Sequence, residues 1–236
     1  MSPARQGWIG LGLAAAILGG WLGLHVWGVF FHHWGAIDWV RAPLVVAAQA
    51  WLGAGMFIIA HDAIHGSLAP GRPRLNAAIG QLCVGLYAGF AFGKLAHAHR
   101  LHHEAPGTAA DPDFHAPAPH TLLPWFVAFF RRHFGWPEFA RVAAVLALYL
   151  WLGAGVANLI VFWGLPAILS AVQLFVFGTW LPHRHEGEGV FADAHRTRSL
   201  DYPWLGSLLA CFHFGRHHEH HMRPDVPWWR LPQVRL

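Results

Sequence analysis

Charged residues are scarce in this chain of 236 residues, since only 12% are Asp, Glu, Lys or Arg while 55% are hydrophobic. Lysine occurs once, at Lys94, so the formal net charge of +4 comes almost entirely from arginine. This composition, with a mean hydropathy of +0.35, argues against a nucleic-acid partner and is typical of an integral membrane protein in a lipid bilayer. The arginines are better explained as flanks that hold loops on the cytoplasmic side.

Cysteine is also rare, with Cys83 and Cys211 far apart in the sequence and each among apolar neighbours. We therefore expect neither a disulfide nor a thiolate metal site, and both side chains are predicted to pack in the core. The sequence has no internal repeat, low-complexity tract or linker that would separate domains. The expected organisation is a single membrane domain covering residues 1–236.

Long apolar runs predict helices that cross a membrane, because a crossing needs about 20 helical residues. Four runs qualify, at residues 7–31, 42–60, 142–163 and, more narrowly, 166–182. The first is too long for a signal-peptide core, so we expect it to be retained. The predicted fold class is an all-α integral membrane protein with four transmembrane helices. Arginine-rich flanks place both termini in the cytoplasm.

Histidine is over-represented, with 20 residues, of which 17 lie at or after His61. An HxxxH motif occupies residues 61–65, and two HxxHH motifs occupy residues 99–103 and 217–221. Histidines three or four positions apart share one face of a helix, so each motif can direct its imidazoles at one metal ion. A lone HxxxH pair would be weak evidence, but three such motifs together predict a metal centre in a histidine-rich cytoplasmic cap.

The number of histidines indicates which kind of metal centre to expect. The motifs offer eight candidate ligands, namely His61, His65, His99, His102, His103, His217, His220 and His221. One zinc ion takes about four ligands, whereas two ions would use them all, and imidazole suits iron, zinc, copper and nickel. The HExxH motif of zinc proteases is absent. Two irons at a membrane surface favour O2 activation on an apolar substrate.

The run 75–93 is long enough to cross the membrane, but Asn76, Gln81 and several glycines weaken it. A full crossing would also place the first two histidine motifs on opposite sides. We therefore expect a re-entrant or half-buried hairpin that returns to its own side. Residues 121–136 mix aromatic side chains with Arg131, Arg132 and His133, which predicts an amphipathic helix in the interface.

The order HxxxH, HxxHH, HxxHH resembles the membrane fatty-acid desaturase and hydroxylase superfamily, and the flanking residues are most similar to the bacterial beta-carotene ketolases. The flanking matches are HDAIHG at 61–66, DPDFH at 111–115, WLPHR at 180–184, FHFGR at 212–216 and PWWRLP at 227–232. The likeness runs from about residue 61 to the C-terminus. It implies a histidine-ligated di-iron centre on the cytoplasmic face of a desaturase-like domain in the bacterial inner membrane.

The resemblance also implies ligands, a reaction and partners. Iron would be held by the eight motif histidines and by a ninth, His183, while His213 and His218 are candidates for a ligand or for a hydrogen-bond partner of one. The implied reaction is the O2-dependent oxidation of ring carbon C4 of beta-carotene, through echinenone to canthaxanthin. Two hydroxylations would give a geminal diol, which loses water to leave the ketone. A ferredoxin-like donor would supply electrons at the basic cytoplasmic face.

Acidic residues near the motifs could orient the ligand imidazoles through their free N–H groups. The candidates are Asp62, Asp111, Asp113 and Glu219. Asp111 and Asp113 could instead simply build a turn around Pro112, and Glu219 could be a solvated charge. His195, with Asp193, is a candidate for the same role or for a surface loop. The remaining histidines are interpreted as interfacial and not catalytic: His25, His32, His33, His120 and His133.

Two other hypotheses compete with the ketolase. One keeps the iron site but changes the substrate to a fatty acyl chain or the reaction to carotenoid hydroxylation. The other, from a different class, is a polytopic metal transporter that uses its histidines for binding only. A transporter is expected to place polar residues inside its spans, whereas the runs here are nearly free of ionisable groups.

Overall fold

The computed structural model describes residues 1–186 and 190–235, and every regular element among them is helical. In chain order the helices are α1 (Pro3–Phe31), α2 (Asp38–His65), α3 (Pro73–Ala88), α4 (Phe92–Glu104), α5 (Leu122–His133), α6 (Trp136–Trp151), α7 (Val156–His183), α8 (Trp204–Cys211) and α9 (His217–Met222), followed by a 3₁₀ turn at Trp228–Gln233. Three of them, α1, α2 and α7, are long and apolar enough to cross a membrane. The all-α membrane class is thereby confirmed.

The boundaries predicted between residues 142 and 182 are wrong. The chain turns at residues 152–155, where Gly153 takes a positive φ of 89°, and not between 163 and 166. A hydropathy pattern does not reveal this turn, because its residues are as apolar as the helices on either side. Helix α6 therefore ends at Trp151, and its 16 residues rise only about 24 Å, less than the roughly 30 Å of a hydrocarbon core.

Helix α7 contains two π-helical segments, Ile160–Gly164 and Val176–Trp180. Each ends two residues before a proline, Pro166 or Pro182. A proline inside a helix lacks an N–H and crowds the carbonyl four residues earlier, so the helix relieves that crowding by widening locally. The prolines thus remain within one continuous helix of 28 residues.

The bend predicted within residues 75–93 lies between α3 and α4, and its second arm extends to Glu104, beyond the predicted range. The two helices meet at an angle of 101°, and Gly89 takes a positive φ of 69° at the bend. The Gln81 side chain closes the bend, since its amide donates to the Phe90 carbonyl at 3.1 Å and accepts from the Phe92 N–H at 3.0 Å. Helix α3 begins after the end of α2, and α4 brings His99 back to His65 at that end, which is compatible with the re-entrant interpretation.

The core lies between α1, α2 and α3 and beneath α8. Cys83 and Cys211 are free and fully buried there, so the packing role predicted for them is confirmed. At one end of the bundle, the Gln6 side chain donates to the Ser67 carbonyl at 2.8 Å, which ties the start of α1 to the end of α2. Helix α5 is amphipathic as predicted, with Trp125 buried while Arg131 and Arg132 are exposed.

The close approach of α4 to α3 at Gly80 gives a first testable prediction. A Cβ at Gly80 would overlap the ring of Phe92, whereas a Cβ at Gly85 on the same helix would meet only the Gln81 amide nitrogen, at 3.4 Å. We expect Gly80→Ala to destabilise the protein by roughly 1–3 kcal/mol through overpacking. A lower apparent melting temperature in detergent than for Gly85→Ala would support this packing, and equal melting temperatures would contradict it.

Candidate metal centre

Five buried or half-buried histidines from α2, α4 and α9 converge at one end of the bundle. They are His61, His65, His99, His103 and His220, whose ligand nitrogens all lie within 4.8 Å of one another. The Nε2 atoms of His65 and His99 are 2.8 Å apart, those of His103 and His220 are 3.0 Å apart, and those of His61 and His220 are 3.1 Å apart. We call this the five-histidine group.

A second group of four fully buried histidines lies directly beside the first. It consists of His102, His183, His217 and His221, from α4, α7 and α9. The Nε2 atom of His221 is 3.1 Å from that of His102 and 3.2 Å from that of His217. The stacked rings of His103 and His221, with centroids 4.3 Å apart, join this four-histidine group to the other.

The geometry of both groups fits metal ligation. Two nitrogens bound at a right angle to one ion at about 2.1 Å are about 3 Å apart, which is the spacing seen here. The Nε2 atom of His183 is buried and has no hydrogen-bond partner among the described residues, which would be costly without a cation. Together the two groups contain the eight motif histidines and His183, and each group alone has enough nitrogens for one ion.

The protonation of the α9 histidines also suits a metal ligand. Burial, followed by repulsion from neighbouring imidazoles, holds the pKa of His217, His220 and His221 well below the ordinary value. These side chains are therefore neutral at physiological pH, and a neutral imidazole has the lone pair that a metal ion needs.

A hydrogen-bonded network orients two members of the four-histidine group. His183 donates from Nδ1 to the Arg196 carbonyl at 2.8 Å, and Arg196 has a left-handed backbone with φ 45°. The Arg196 guanidinium donates to the Gly107 carbonyl at 3.2 Å. The Gly107 N–H and the His102 Nδ1–H both donate to Oδ2 of Asp111, at 2.8 and 2.9 Å. A carbonyl or carboxylate on the far nitrogen fixes the tautomer of a metal-binding imidazole.

Asp62 and Glu219 were predicted to orient ligand imidazoles, but neither makes a hydrogen bond to an imidazole of the two groups. Asp62 lies 3.7 Å from Nδ1 of His61, too far for a hydrogen bond, and instead accepts from the Trp228 N–H at 3.2 Å. Glu219 is buried against Ser199 and Arg216, because it lies on the face of α9 opposite to the motif histidines. It is neither a solvated charge nor a partner of a ligand.

Two predicted histidines point away from both groups. His218 contacts the Thr197 carbonyl at 3.2 Å and Asp193 at 3.3 Å, because the next residue of a helix is turned by about 100°. His213 bonds from Nδ1 to the Ser207 hydroxyl at 3.1 Å. His195 belongs to neither group, and its ring centroid is 6.0 Å from that of His221.

Asp113 hydrogen-bonds to His133, not to a motif histidine. Its Oδ1 accepts from Nε2 of His133 at 2.8 Å. Burial alone would raise the pKa of Asp113, but the hydrogen bond from His133 holds it below the ordinary value. His133 was expected at the membrane interface, and no motif links two residues 20 positions apart, so this pair had no sequence signal.

A largely apolar cavity of about 630 Å³ leads from the histidines into the bundle. Its inner end is lined by His61, His99, His102 and His217, and its outer end by Leu150, Val156 and Ile160. One face of α7 lines it from Val156 to Thr179, a length of about 35 Å. On the opposite side α6 contributes Val142, Leu146 and Leu150. The site therefore opens onto a long channel suited to a slender apolar molecule.

Comparisons with known proteins identify the family. The sequence model described as "Fatty acid desaturase" matches residues 37–236. A beta-carotene ketolase of Paracoccus sp. (strain PC1) is 47% identical, over 96% of this chain and 92% of that protein. A beta-carotene ketolase of Haematococcus lacustris is 35% identical, over 96% and 78%. A zeaxanthin 4-ketolase of Chlamydomonas reinhardtii is 36% identical, over 99% and 54%. The resemblance found in the motifs is confirmed, and the chain belongs to the fatty acid desaturase family.

Proposed function

We propose that the protein is a beta-carotene 4-ketolase, an oxygenase that converts a ring CH2 group of beta-carotene into a ketone. The observation that carries this proposal is the long apolar cavity that ends on the histidine groups. Beta-carotene is a long, rigid hydrocarbon with a ring at each end, and a narrow cavity of that kind can hold it end-on. The similarity to ketolases from bacteria and algae supports the same substrate.

The residues that would hold the cofactor are the five-histidine group and the four-histidine group, each binding one iron ion. When bound, the two irons would supply the activation of O2 that oxidation of a C–H bond requires. The chain's contribution is to fix the ligands from α2, α4, α7 and α9, and to aim His102 and His183 through Asp111 and the Arg196 carbonyl.

The cavity would set the position of the ring. The substrate makes no hydrogen bonds of its own, so it is held by contact with the aromatic and aliphatic lining, including Phe90, Phe129 and Phe214. The depth to which the ring enters decides which carbon lies beside the histidines. Apolar walls also keep water away from the reacting carbon.

The order of the helices supports a topology of four passes. The histidines lie at the C-terminal ends of α2 and α7, which are at the same end of the bundle as α5. Helix α6 connects α5 to the start of α7, at the opposite end. We propose that α1, α2, α6 and α7 cross the bacterial inner membrane, with the histidines on the cytoplasmic side. The α3–α4 hairpin would enter the bilayer from that side and return.

The electron donor is proposed to be a ferredoxin-like protein that docks beside His183. Arg184 follows this histidine directly, and Arg198 donates to the Arg184 carbonyl at 2.8 Å. Arg184 and Arg198 both lie beside Arg196, whose carbonyl accepts a hydrogen bond from His183. Positive side chains next to a buried ligand give an acidic redox partner a docking position close to the metal centre.

The cavity lining also bears on the alternatives. A metal transporter needs polar groups along its path, whereas the outer part of this cavity is lined by Leu150, Val156, Leu159 and Ile160. A fatty acyl substrate would fit an apolar channel as well, so product analysis separates the two enzyme hypotheses.

The first test of function uses cells that accumulate beta-carotene. Expression of the protein is expected to yield echinenone and canthaxanthin, and Ala171→Phe, which projects a ring into the cavity, is expected to lower the ketone yield by about a hundredfold through misplacement of the substrate. The matched control is Ala157→Phe, on an exposed surface of the same helix. Absence of any ketone from the wild-type protein would refute the function, and equal yields from both variants would refute the cavity as the binding site.

The second test measures bound metal in the purified protein. About two irons per chain are expected, and His103→Ala is expected to lower the iron content, because it removes a nitrogen from the five-histidine group. His97→Ala is the control, since His97 is exposed on the same helix. One zinc per chain, or equal iron in the two variants, would contradict the proposed ligand set.

The third test concerns docking of the donor. The double variant Arg184→Glu, Arg198→Glu is expected to slow reduction by a ferredoxin roughly tenfold at low salt and to change it little at high salt, since exposed charges are screened. The control is Arg223→Glu, whose side chain already pairs with Asp225 at 2.9 Å. A loss of rate that does not depend on salt would argue against electrostatic docking here.

A further inference from the structure

The hydrogen-bonded pair of Asp113 and His133 lies in the wall of the cavity. Both side chains line it, with Nε2 of His133 2.8 Å from Oδ1 of Asp113. The surrounding wall is aromatic, since Phe129, Phe130 and Phe134 line the cavity beside them. Placing a polar pair in such a wall costs desolvation energy. Its position at the reactive end of a hydrocarbon-binding site therefore suggests that the pair has a function.

The pair lies close to the metal ligands but is not one of them. A carboxylate oxygen of Asp113 is within 4.8 Å of a ring nitrogen of His102, and His133 is one hydrogen bond further away. The backbone of His133 is also held in place, since Lys94 donates to its carbonyl at 2.9 Å and contacts Glu138 at 3.2 Å. His133 is therefore held within a few ångströms of where the oxidised ring would lie.

The hydrogen-bonding roles of the pair are set by the carboxylate. An ionised Asp113 only accepts, so Nε2 of His133 must carry the hydrogen, and an imidazole with that single hydrogen leaves Nδ1 as an acceptor. No described residue bonds to this Nδ1. An acceptor can bind the O–H group of an alcohol, but it has no hydrogen to offer a ketone, and the hydrocarbon substrate has no group for it at all.

We propose that Asp113 and His133 bind a hydroxyl group on the substrate ring, and that this group is the C4 alcohol left by the first hydroxylation. This rests on the proposed ketolase function. Each hydroxylation places one atom of O2 in a C4–H bond and releases the other as water, with two electrons from the donor and two protons. Retention of the alcohol favours the second hydroxylation. The geminal diol then loses water, and the ketone no longer has an O–H for His133 to accept.

A ring hydroxyl could also come from a substrate that already has one at C3. A relative named zeaxanthin 4-ketolase shows that such substrates are a relevant comparison. The chemistry recognised is the same in both cases, so the experiment includes both substrates, and its two arms separate the C4 alcohol from the C3 alcohol.

The experiment compares His133→Phe with His120→Phe, a matched substitution at an exposed histidine that does not line the cavity. In cells that make beta-carotene, His133→Phe is expected to raise the ratio of 4-hydroxy to 4-keto carotenoids by roughly threefold to tenfold, the effect of one ordinary hydrogen bond. Iron content is expected to stay at the wild-type value. His133→Gln, which keeps an accepting oxygen, is expected to restore part of the ratio.

The outcomes distinguish the proposals. If His133→Phe lowers all products in proportion and leaves the ratio unchanged with both substrates, the hydroxyl site is refuted while the ketolase stands. If only conversion of zeaxanthin falls relative to beta-carotene, the site binds a C3 hydroxyl and the C4 assignment is overturned. If His133→Phe does not accumulate in the membrane, the same ratio is measured with Asp113→Leu, which removes the acceptor of the His133 Nε2–H and is also expected to raise the ratio. A wild-type protein that makes no ketone refutes the proposed function itself.

Discussion

Nine imidazoles in van der Waals contact, most of them buried, are the constraint on which the rest of the structure depends. Their ring nitrogens approach to about 3 Å, where neutral imidazoles can satisfy one another only in part and charged ones repel. The segments that supply them are far apart in the sequence, from His61 in α2 to His221 in α9. Four helices, α2, α4, α7 and α9, bring histidines to this one place. The chain therefore bends between α3 and α4, and its C-terminal part packs against the end of the bundle where α2 ends.

The hairpin and the cavity are two consequences of that convergence. The bend between α3 and α4 brings the histidines of α4 to those of α2, and α6 contacts α3. Helix α6 packs on α7 through Tyr149 and Trp163, whose ring centroids are 5.2 Å apart, while Val142, Leu146 and Leu150 of α6 line the cavity. The arrangement that brings the histidines together therefore also leaves a channel leading to them.

The sequence predicted those parts of the structure that follow a helical period. Histidines at intervals of three and four residues indicated the shared faces of α2, α4 and α9, whereas His183 was implied only by the resemblance to the desaturase superfamily. Interactions between distant segments have no period, so the bond from His183 to the Arg196 carbonyl and the pairing of Asp113 with His133 were not predictable. Glu219 was predicted to orient a ligand because histidines flank it in the sequence. It lies two positions after His217, and that offset turns its side chain to the opposite face of α9.

Several walls of the cavity are also part of the outer surface. Leu146 is 39% exposed and Ile168 is 62% exposed, although both line the cavity, so the channel is open sideways between α6 and α7. A molecule dissolved in the hydrocarbon can then arrive by lateral diffusion without passing through water. The effective substrate concentration is its mole fraction in the lipid, and saturation of the enzyme depends on how much lipid dilutes the carotenoid, not on the volume of the aqueous phase.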